Sequence, residues 1–170
     1  MRRGLWGPLT GVGLAAAVLA CAADQALKLW LIESFGLAQR GVVHVAPFVD
    51  FVLTWNTGIS YGWLQQEGPL GQWALLALKT IAVALLWIWL GRAHARLSAA
   101  SLGLIIGGAL GNAIDRLAYG WVADFVYFHI STDSWRFNWY VFNLADVAIV
   151  AGVIGLLYDS LVMDRAAKAP

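Results

Sequence analysis

The sequence has little charge and a single cysteine. Of its 170 residues 12% are charged, 11 basic and 10 acidic. No basic cluster of the kind that follows a phosphate backbone occurs, so the sequence predicts no nucleic-acid partner. The lone Cys21 excludes an internal disulfide framework. His44, His94 and His129 are too scattered for metal-ligand spacing. Without a Gly-rich phosphate loop or a serine nucleophile elbow, the sequence predicts neither a metal nor a cofactor.

Apolar residues dominate the composition. They make up 61% of the chain, and the mean hydropathy of +0.70 is more than a soluble domain of this length could bury in one core. A membrane span needs roughly 20 predominantly apolar residues. Four runs meet that requirement: 9–31, 73–90, 97–118 and 140–163. The sequence therefore predicts a membrane all-α fold, a four-transmembrane-helix bundle in which residues 1–170 form a single integral-membrane domain.

The placement of basic residues orients this bundle. The predicted inner ends of the spans carry six basic residues: Arg2, Arg3, Arg92, Arg96, Arg165 and Lys168. The two long connections, 32–72 and 119–139, contain only two Lys or Arg residues, Arg40 and Arg136. Because Lys and Arg are enriched in cytoplasmic loops, we expect both termini in the cytoplasm and both long connections outside.

The N-terminus has a second interpretation. Two arginines, an apolar stretch and Val18-Leu19-Ala20-Cys21 resemble a cleaved signal peptide. Leu19 fits such a cleavage box poorly, and the apolar run continues through Trp30. We therefore favour a first span over 9–31.

The outer connections contain short segments typical of β-strands. Residues 42–45 and 48–55 are rich in β-branched and aromatic side chains. Residues 121–128, from the other connection, could pair with them and form a small extracytoplasmic β-sheet cap over the bundle. Residues 61–64 could form an amphipathic segment on the membrane surface.

Several polar residues lie inside the predicted spans. With a rise of ~1.5 Å per residue, Asp24, Asn112 and Asp146 lie roughly 9–10 Å from the outer ends of three different spans. Intramembrane groups of this kind usually serve a site. Asp24 and Lys28 are one helical turn apart and can form an ion pair. For Asp115 and its neighbour Arg116, structural anchoring and substrate contact both stay open.

Asp124 and Asp146 have no basic neighbour one or four residues away. Two carboxylates brought together share a proton, so one can act as a base and the other as an acid that together activate water. The alternative is that each only caps or bonds the local backbone. A transporter or a non-catalytic assembly subunit also stays open, although charges at one depth argue against a relay across the membrane.

Two further features concern the helices themselves. Gly103, Gly107 and Gly111 form a stripe of small residues that allows close helix packing, or a groove for another helix. Lys79, inside the second span, is predicted to snorkel outward or to meet a carboxylate, and we assign it no chemistry.

The chain resembles the lipoprotein signal peptidases, also called signal peptidase II. Five blocks in order carry the resemblance: Asp24-Gln25-x-x-Lys28, Asn56-x-Gly58, Gly108-x-x-Gly111-Asn112-x-x-Asp115-Arg116, Val122-x-Asp124-Phe125 and Phe142-Asn143-x-Ala145-Asp146. The departures from the family pattern are Ile59-Ser60-Tyr61 and Ala123. They bear on the shape of the pocket more than on its chemistry.

This resemblance implies a monomeric intramembrane aspartic endopeptidase of the bacterial cytoplasmic (inner) membrane. It would act on diacylglyceryl-modified prolipoproteins at the outer leaflet boundary, among membrane lipid, and cleave just before the lipidated cysteine. Asp124 and Asp146 correspond to the catalytic pair. Substrate-binding positions are Asn56, Gly58, Asn112, Arg116 and Asn143. Supporting positions are Asp24, Lys28, Gly108, Gly111, Asp115 and Ala145. The glycine stripe would help the signal helix to dock, and no metal is required.

Overall fold

The computed structural model describes residues 5–56, 69–132 and 134–167. Gly58, the departure at Ile59-Ser60-Tyr61 and the predicted amphipathic segment 61–64 lie outside these ranges. The helices are α1 (Thr10–Leu29), α2 (Leu37–Arg40), α3 (Pro69–Leu90), α4 (Arg96–Tyr119) and α5 (Leu144–Ala167), and a π-helical turn, Trp30–Ser34, extends α1. The strands are β1 (Val43–Ala46), β2 (Val49–Asn56), β3 (Val122–Ser131) and β4 (Arg136–Asn138).

The long helices overlap the predicted apolar runs, with ends that differ by up to four residues. Within the described residues, three helical segments are long and apolar enough to cross a membrane: Thr10–Ser34, Arg96–Tyr119 and Leu144–Val162. Ala77–Leu90 of α3 forms a shorter apolar stretch. The membrane-type helical fold is thereby supported, while the four-span topology with both termini inside stays a prediction.

Helix α4 lies at the centre, between α1 and α5, with α3 packed on a third side. Its glycines make this packing close. A side chain at Gly103 or Gly107 would collide with the α1 backbone, and one at Gly108 with the backbone of α5. Without a Cβ the helix backbones can approach closely. The hypothesis that the glycine stripe forms a groove for a substrate's signal helix is therefore wrong, because α1 already occupies that face.

The predicted sheet is present, with antiparallel strands in the order β1-β2-β3-β4. Strands β2 and β3 come from the two different long connections and pair as predicted, with Thr54 opposite Asp124 and Asn56 opposite Val122. This pairing is confirmed, and it brings Asn56 and Asp124 together. Strand β4 was missed, since its three residues are too few to give an alternating pattern.

The start of the last helix differs from the prediction. The apolar run begins at Tyr140, but α5 begins at Leu144. Phe142 is held in an extended conformation because its N–H and C=O pair with Val126 of β3 at 3.0 and 2.8 Å. Asp146 therefore lies in the first turn of α5. Its predicted position six residues inside a helical span is wrong.

Candidate active site

Asp124 and Asp146 line the same cavity, where the sheet meets the helices. Its volume is about 230 Å³. The lining residues come from two strands, three helices and the segment before α5: Asn56, Lys79, Asn112, Arg116, Val122, Asp124, Tyr140, Asp146, Ile149 and Val150. The structure thus brings together two carboxylates that are 22 positions apart in sequence.

Asn143 connects the two carboxylates through its side chain. Its Nδ2 donates to Asp124 Oδ1 at 2.6 Å, and its Oδ1 accepts the backbone N–H of Asp146 at 3.0 Å. The backbone N–H of Asn143 in turn donates to Asp146 Oδ2 at 3.3 Å. This reciprocal pattern is a capping box at the start of α5. Asp146 therefore bonds the local backbone, as one alternative predicts, and it also lines the cavity. Its acid–base role stays a prediction.

Two further amides hold the carboxylates. Asn56 Nδ2 donates to Asp124 Oδ2 and Asn112 Nδ2 to Asp146 Oδ1, both at 3.0 Å. Asn143 Nδ2 also lies 2.9 Å from Asn112 Oδ1. Amide donors orient a carboxylate without neutralising it. Three asparagines therefore hold both aspartates in place without adding a charge to the site.

Burial raises the pKa of Asp124 to about 6. The charge of Asp146 contributes to this rise, while the hydrogen bonds from Asn56 and Asn143 and the charge of Lys28 act against it, and about 6 is the net pKa. A carboxyl group with a pKa this close to neutral can hold or release a proton under mild conditions. The electrostatics fit an acid–base role for the pair.

A buried ion cluster lies behind the cavity. Lys28 Nζ is 2.8 Å from carboxylate oxygens of both Asp24 and Asp115, and it donates to Asn112 Oδ1 at 3.3 Å. The predicted ion pair between Asp24 and Lys28 is confirmed. Asp115 shares the same lysine, whereas the adjacent Arg116 faces the cavity.

The acidic members of this cluster also bind backbone groups next to the aspartates. Asp24 Oδ1 accepts the N–H of Ala145 at 2.9 Å, directly before Asp146. Asp115 Oδ2 accepts the N–H of Ala123 at 3.1 Å, directly before Asp124. The cluster thus fixes the backbone immediately ahead of each carboxylate.

The remaining supporting positions, Gly108, Gly111 and Ala145, are small residues where neighbouring helices pack closely. A Cβ at Gly111 would lie 2.7 Å from Asp24 Oδ2, and one at Gly108 would meet the carbonyl of Ala145. Ala145 itself is fully buried. These small residues let the ion cluster and the first turn of α5 lie against α4.

Several cavity residues were not singled out as site residues from the sequence. Ile149 and Val150 follow Asp146 at spacings of three and four, so the helical period could have placed them on its face. Tyr140 and Lys79 had no such signal, because their positions depend on how the outer connection and α3 pack. Lys79 faces the cavity, but among the described residues it forms no ion pair with a carboxylate, so the prediction that it meets one is not confirmed.

No group of three or more His, Cys, Asp or Glu side chains arranged to hold a metal occurs in residues 5–56, 69–132 and 134–167. The acidic side chains of the site are instead held by amides and by Lys28.

The fold and the cavity define a helical membrane protein with a paired-carboxylate site. The family model described as Signal peptidase (SPase) II matches residues 16–162, which is most of the chain. The chain belongs to the signal peptidase II family and is a peptidase, so the resemblance drawn from the five sequence blocks is confirmed.

Curated relatives named "Lipoprotein signal peptidase" are similar over nearly their whole length. The protein from Nitrobacter hamburgensis is 61% identical, with 93% of this chain and 96% of the relative covered. That from Rhodopseudomonas palustris strain TIE-1 is 58% identical, with coverages of 94% and 97%. That from Methylorubrum extorquens is 56% identical, with coverages of 88% and 85%.

Two solved structures, each titled as a bacterial membrane enzyme, have a similar fold. One superposes with a TM-score of 0.71 at 25% identity, covering 94% of this chain and 92% of the other. The second has a TM-score of 0.67 at 24% identity, with coverages of 89% and 93%, and supports the fold alone. Together with the apolar helices, these similarities identify a membrane protein.

Proposed function

We propose that this protein is an aspartic endopeptidase that removes the signal peptide from diacylglyceryl-modified bacterial prolipoproteins, cleaving just before the lipidated cysteine. The family supplies the substrate class, since its curated relatives are named for lipoproteins. The main support for the aspartic mechanism is the side chain of Asn143. It donates a hydrogen bond to the Asp124 carboxylate and accepts one from the backbone N–H of Asp146.

The two carboxylates divide the proton transfers between them. The ionised one takes a proton from water as the water oxygen bonds to the scissile carbonyl carbon, and the protonated one gives its proton to the carbonyl oxygen. In the second step the carboxyl group that took the proton from water gives it to the amide nitrogen, and the carbon–nitrogen bond breaks. The carbonyl re-forms as one hydroxyl of the tetrahedral intermediate returns its proton to the other carboxylate. The products are a new carboxyl end on the signal peptide and a new amino end on the lipidated cysteine.

Substrate contacts are assigned to the cavity wall. Arg116, Asn112 and Asn56 line it and would bind oxygens of the substrate backbone or of the lipid esters. Asn143 is fully buried and bonds both aspartates, which supports a positioning role. Its direct contact with substrate, and that of Gly58, stay predictions.

Location follows from the proposed four-span topology with cytoplasmic termini. The cavity then lies at the outer leaflet boundary of the inner membrane, where α5 begins and the sheet covers the bundle. Ile149 and Val150 give the cavity an apolar side below Asp146. A lipidated cysteine sits at this same boundary, with its signal helix in the hydrocarbon. We propose that a single copy of the chain contains the complete site.

Purified protein incubated with a diacylglyceryl-modified prolipoprotein tests this function. Mass spectrometry should locate cleavage directly before the modified cysteine. Asp124→Asn and Asp146→Asn should each abolish cleavage while keeping the wild-type unfolding temperature within a few degrees. Asp159→Asn, a carboxylate in α5 away from the cavity, serves as the control. Full activity in either dyad variant would falsify the mechanism. Equal cleavage of the unmodified precursor would remove the lipid requirement.

A further inference from the structure

Lys79 places a positive charge at the same cavity as the two aspartates. Among the described residues of α3, it is the one that lines this cavity. Its charge lies within electrostatic range of Arg116, Asp146 and Asp124. The side chain is half-buried, so its apolar stem lies along the helices and its amine reaches the polar region.

The two lysines near the site differ in their partners. Lys28 is held by two carboxylates at 2.8 Å. Lys79 has no hydrogen bond or ion pair within the part of the chain that the structure describes. A half-buried ammonium without such a contact in a low-dielectric region exerts its field on the charges around it. The charged groups that share the cavity with it are Arg116 and the carboxylates of Asp124 and Asp146.

We propose that Lys79 is a positioning residue that acts electrostatically on Asp124 and Asp146, favouring the state in which the pair carries one proton. This inference rests on the proposed aspartic mechanism and adds a residue to it. Two neighbouring carboxylates oppose each other's ionisation, and burial opposes it further. A cation facing them offsets both effects, so one member of the pair can be ionised and act as the base.

The surrounding charges leave room for this contribution. Behind the pair, the single cation Lys28 is shared by two carboxylates, Asp24 and Asp115. Among the described residues, the charged or titratable groups that line the cavity besides the pair are Lys79 from α3, Arg116 from α4 and Tyr140 before α5. Lys79 and Arg116 are thus the described cations that share the cavity with the pair.

The sign of the expected effect follows directly. Removing a positive charge disfavours ionised carboxylates, so both macroscopic pKa values of the pair should rise. Activity needs one ionised and one protonated member, so the bell-shaped pH profile of kcat/KM should move as a whole to higher pH. For a cation that faces the pair without direct contact, we expect a shift of about 0.5 to 1 pH unit.

The test compares pH profiles of the purified full-length enzyme in detergent micelles with a diacylglyceryl-modified substrate. Lys79→Met should show the upward shift, and Lys79→Arg should restore the wild-type profile because it keeps the charge. Arg92→Met removes a cation from an exposed position after the inner end of the same helix and should leave the profile in place. A profile of Lys79→Met that superimposes on wild type overturns the proposal.

A structural effect of the substitution is separated in two ways. Lower activity without a shift of the profile would mean that Lys79 supports only folding or substrate affinity, which also overturns the proposal. If Lys79→Met does not fold, Lys79→Gln, which keeps a polar end group, is measured instead. The two proposals can fail separately. If Lys79→Met leaves the pH profile unchanged while Asp124→Asn and Asp146→Asn are inactive, only the role of Lys79 is overturned. If either aspartate variant is active, the aspartic mechanism itself is overturned.

Discussion

Asp24 of α1 accepts the backbone N–H of Ala145 at 2.9 Å, so a carboxylate on the first helix caps the last one. The first N–H groups of a helix have no partner within it, and the positive end of the helix dipole favours an anion there. The contact also fixes the residue directly before Asp146. An ion cluster and a functional side chain are thus joined through one backbone group.

Lys28→Met should destabilise the protein more than Asp24→Asn. Methionine leaves both Asp24 and Asp115 buried without their cation, and breaking a buried pair by removing one partner costs about 3–5 kcal/mol. Asp24→Asn leaves Lys28 paired with Asp115, so its cost should be smaller. Thermal unfolding of the purified variants in one detergent gives the order. An unfolding temperature for Lys28→Met at or above that of Asp24→Asn would contradict the cluster's proposed energetics.

Asn143→Ala should lower kcat by about 100-fold or more, because the aspartates lose the amide that orients them, and misplacement of about 1 Å can cost that much. The lost helix cap should also reduce the free energy of unfolding by about 1 kcal/mol. Steady-state kinetics and thermal unfolding measure the two effects. Asn138→Ala, at an exposed position in β4, is the control. Activity of the Asn143 variant within twofold of wild type would rule out the positioning role.

Asp124 should make stability depend on pH. Its pKa in the folded protein is about 6, above the ordinary value of 3.8, so the folded state binds more protons than the unfolded state between these values. Stability should therefore rise as pH falls through about 6. The unfolding temperature of wild type minus that of Asp124→Asn should increase from pH 7.5 to pH 5. A constant difference would show that Asp124 is not perturbed in this way.

Gly107→Ala should destabilise the packing of α1 on α4. Its Cβ would meet the backbone of Ala17, which cannot move aside without shifting the helix. Overpacking of this kind typically costs about 1–3 kcal/mol. Gly11→Ala is the matched control, since nothing lies within 4 Å of its Cβ and alanine favours a helix. Equal unfolding temperatures for the two variants would exclude close packing at Gly107.

Much of the fold was predictable because it depends on local pattern. Apolar runs give the long helices, and β-branched and aromatic segments give β1, β2 and β3. The Asp24–Lys28 pair follows from the helical period alone. The start of α5 was not predictable, because the apolar run continues through Phe142. Only pairing with β3 shows that this residue is extended.

The site divides in the same way. The sequence by itself showed that Asp124 and Asp146 have no basic residue near them in the chain, and its five motif blocks indicated the family. The tertiary structure decided that Asn143 bridges them, that Asp115 shares Lys28 with Asp24, and that Lys79 faces the cavity. The physical reason is separation along the sequence. Periodicity and composition describe neighbours within a few residues, whereas these contacts join groups from separate helices and strands. Their positions depend on how closely the glycines let those elements pack.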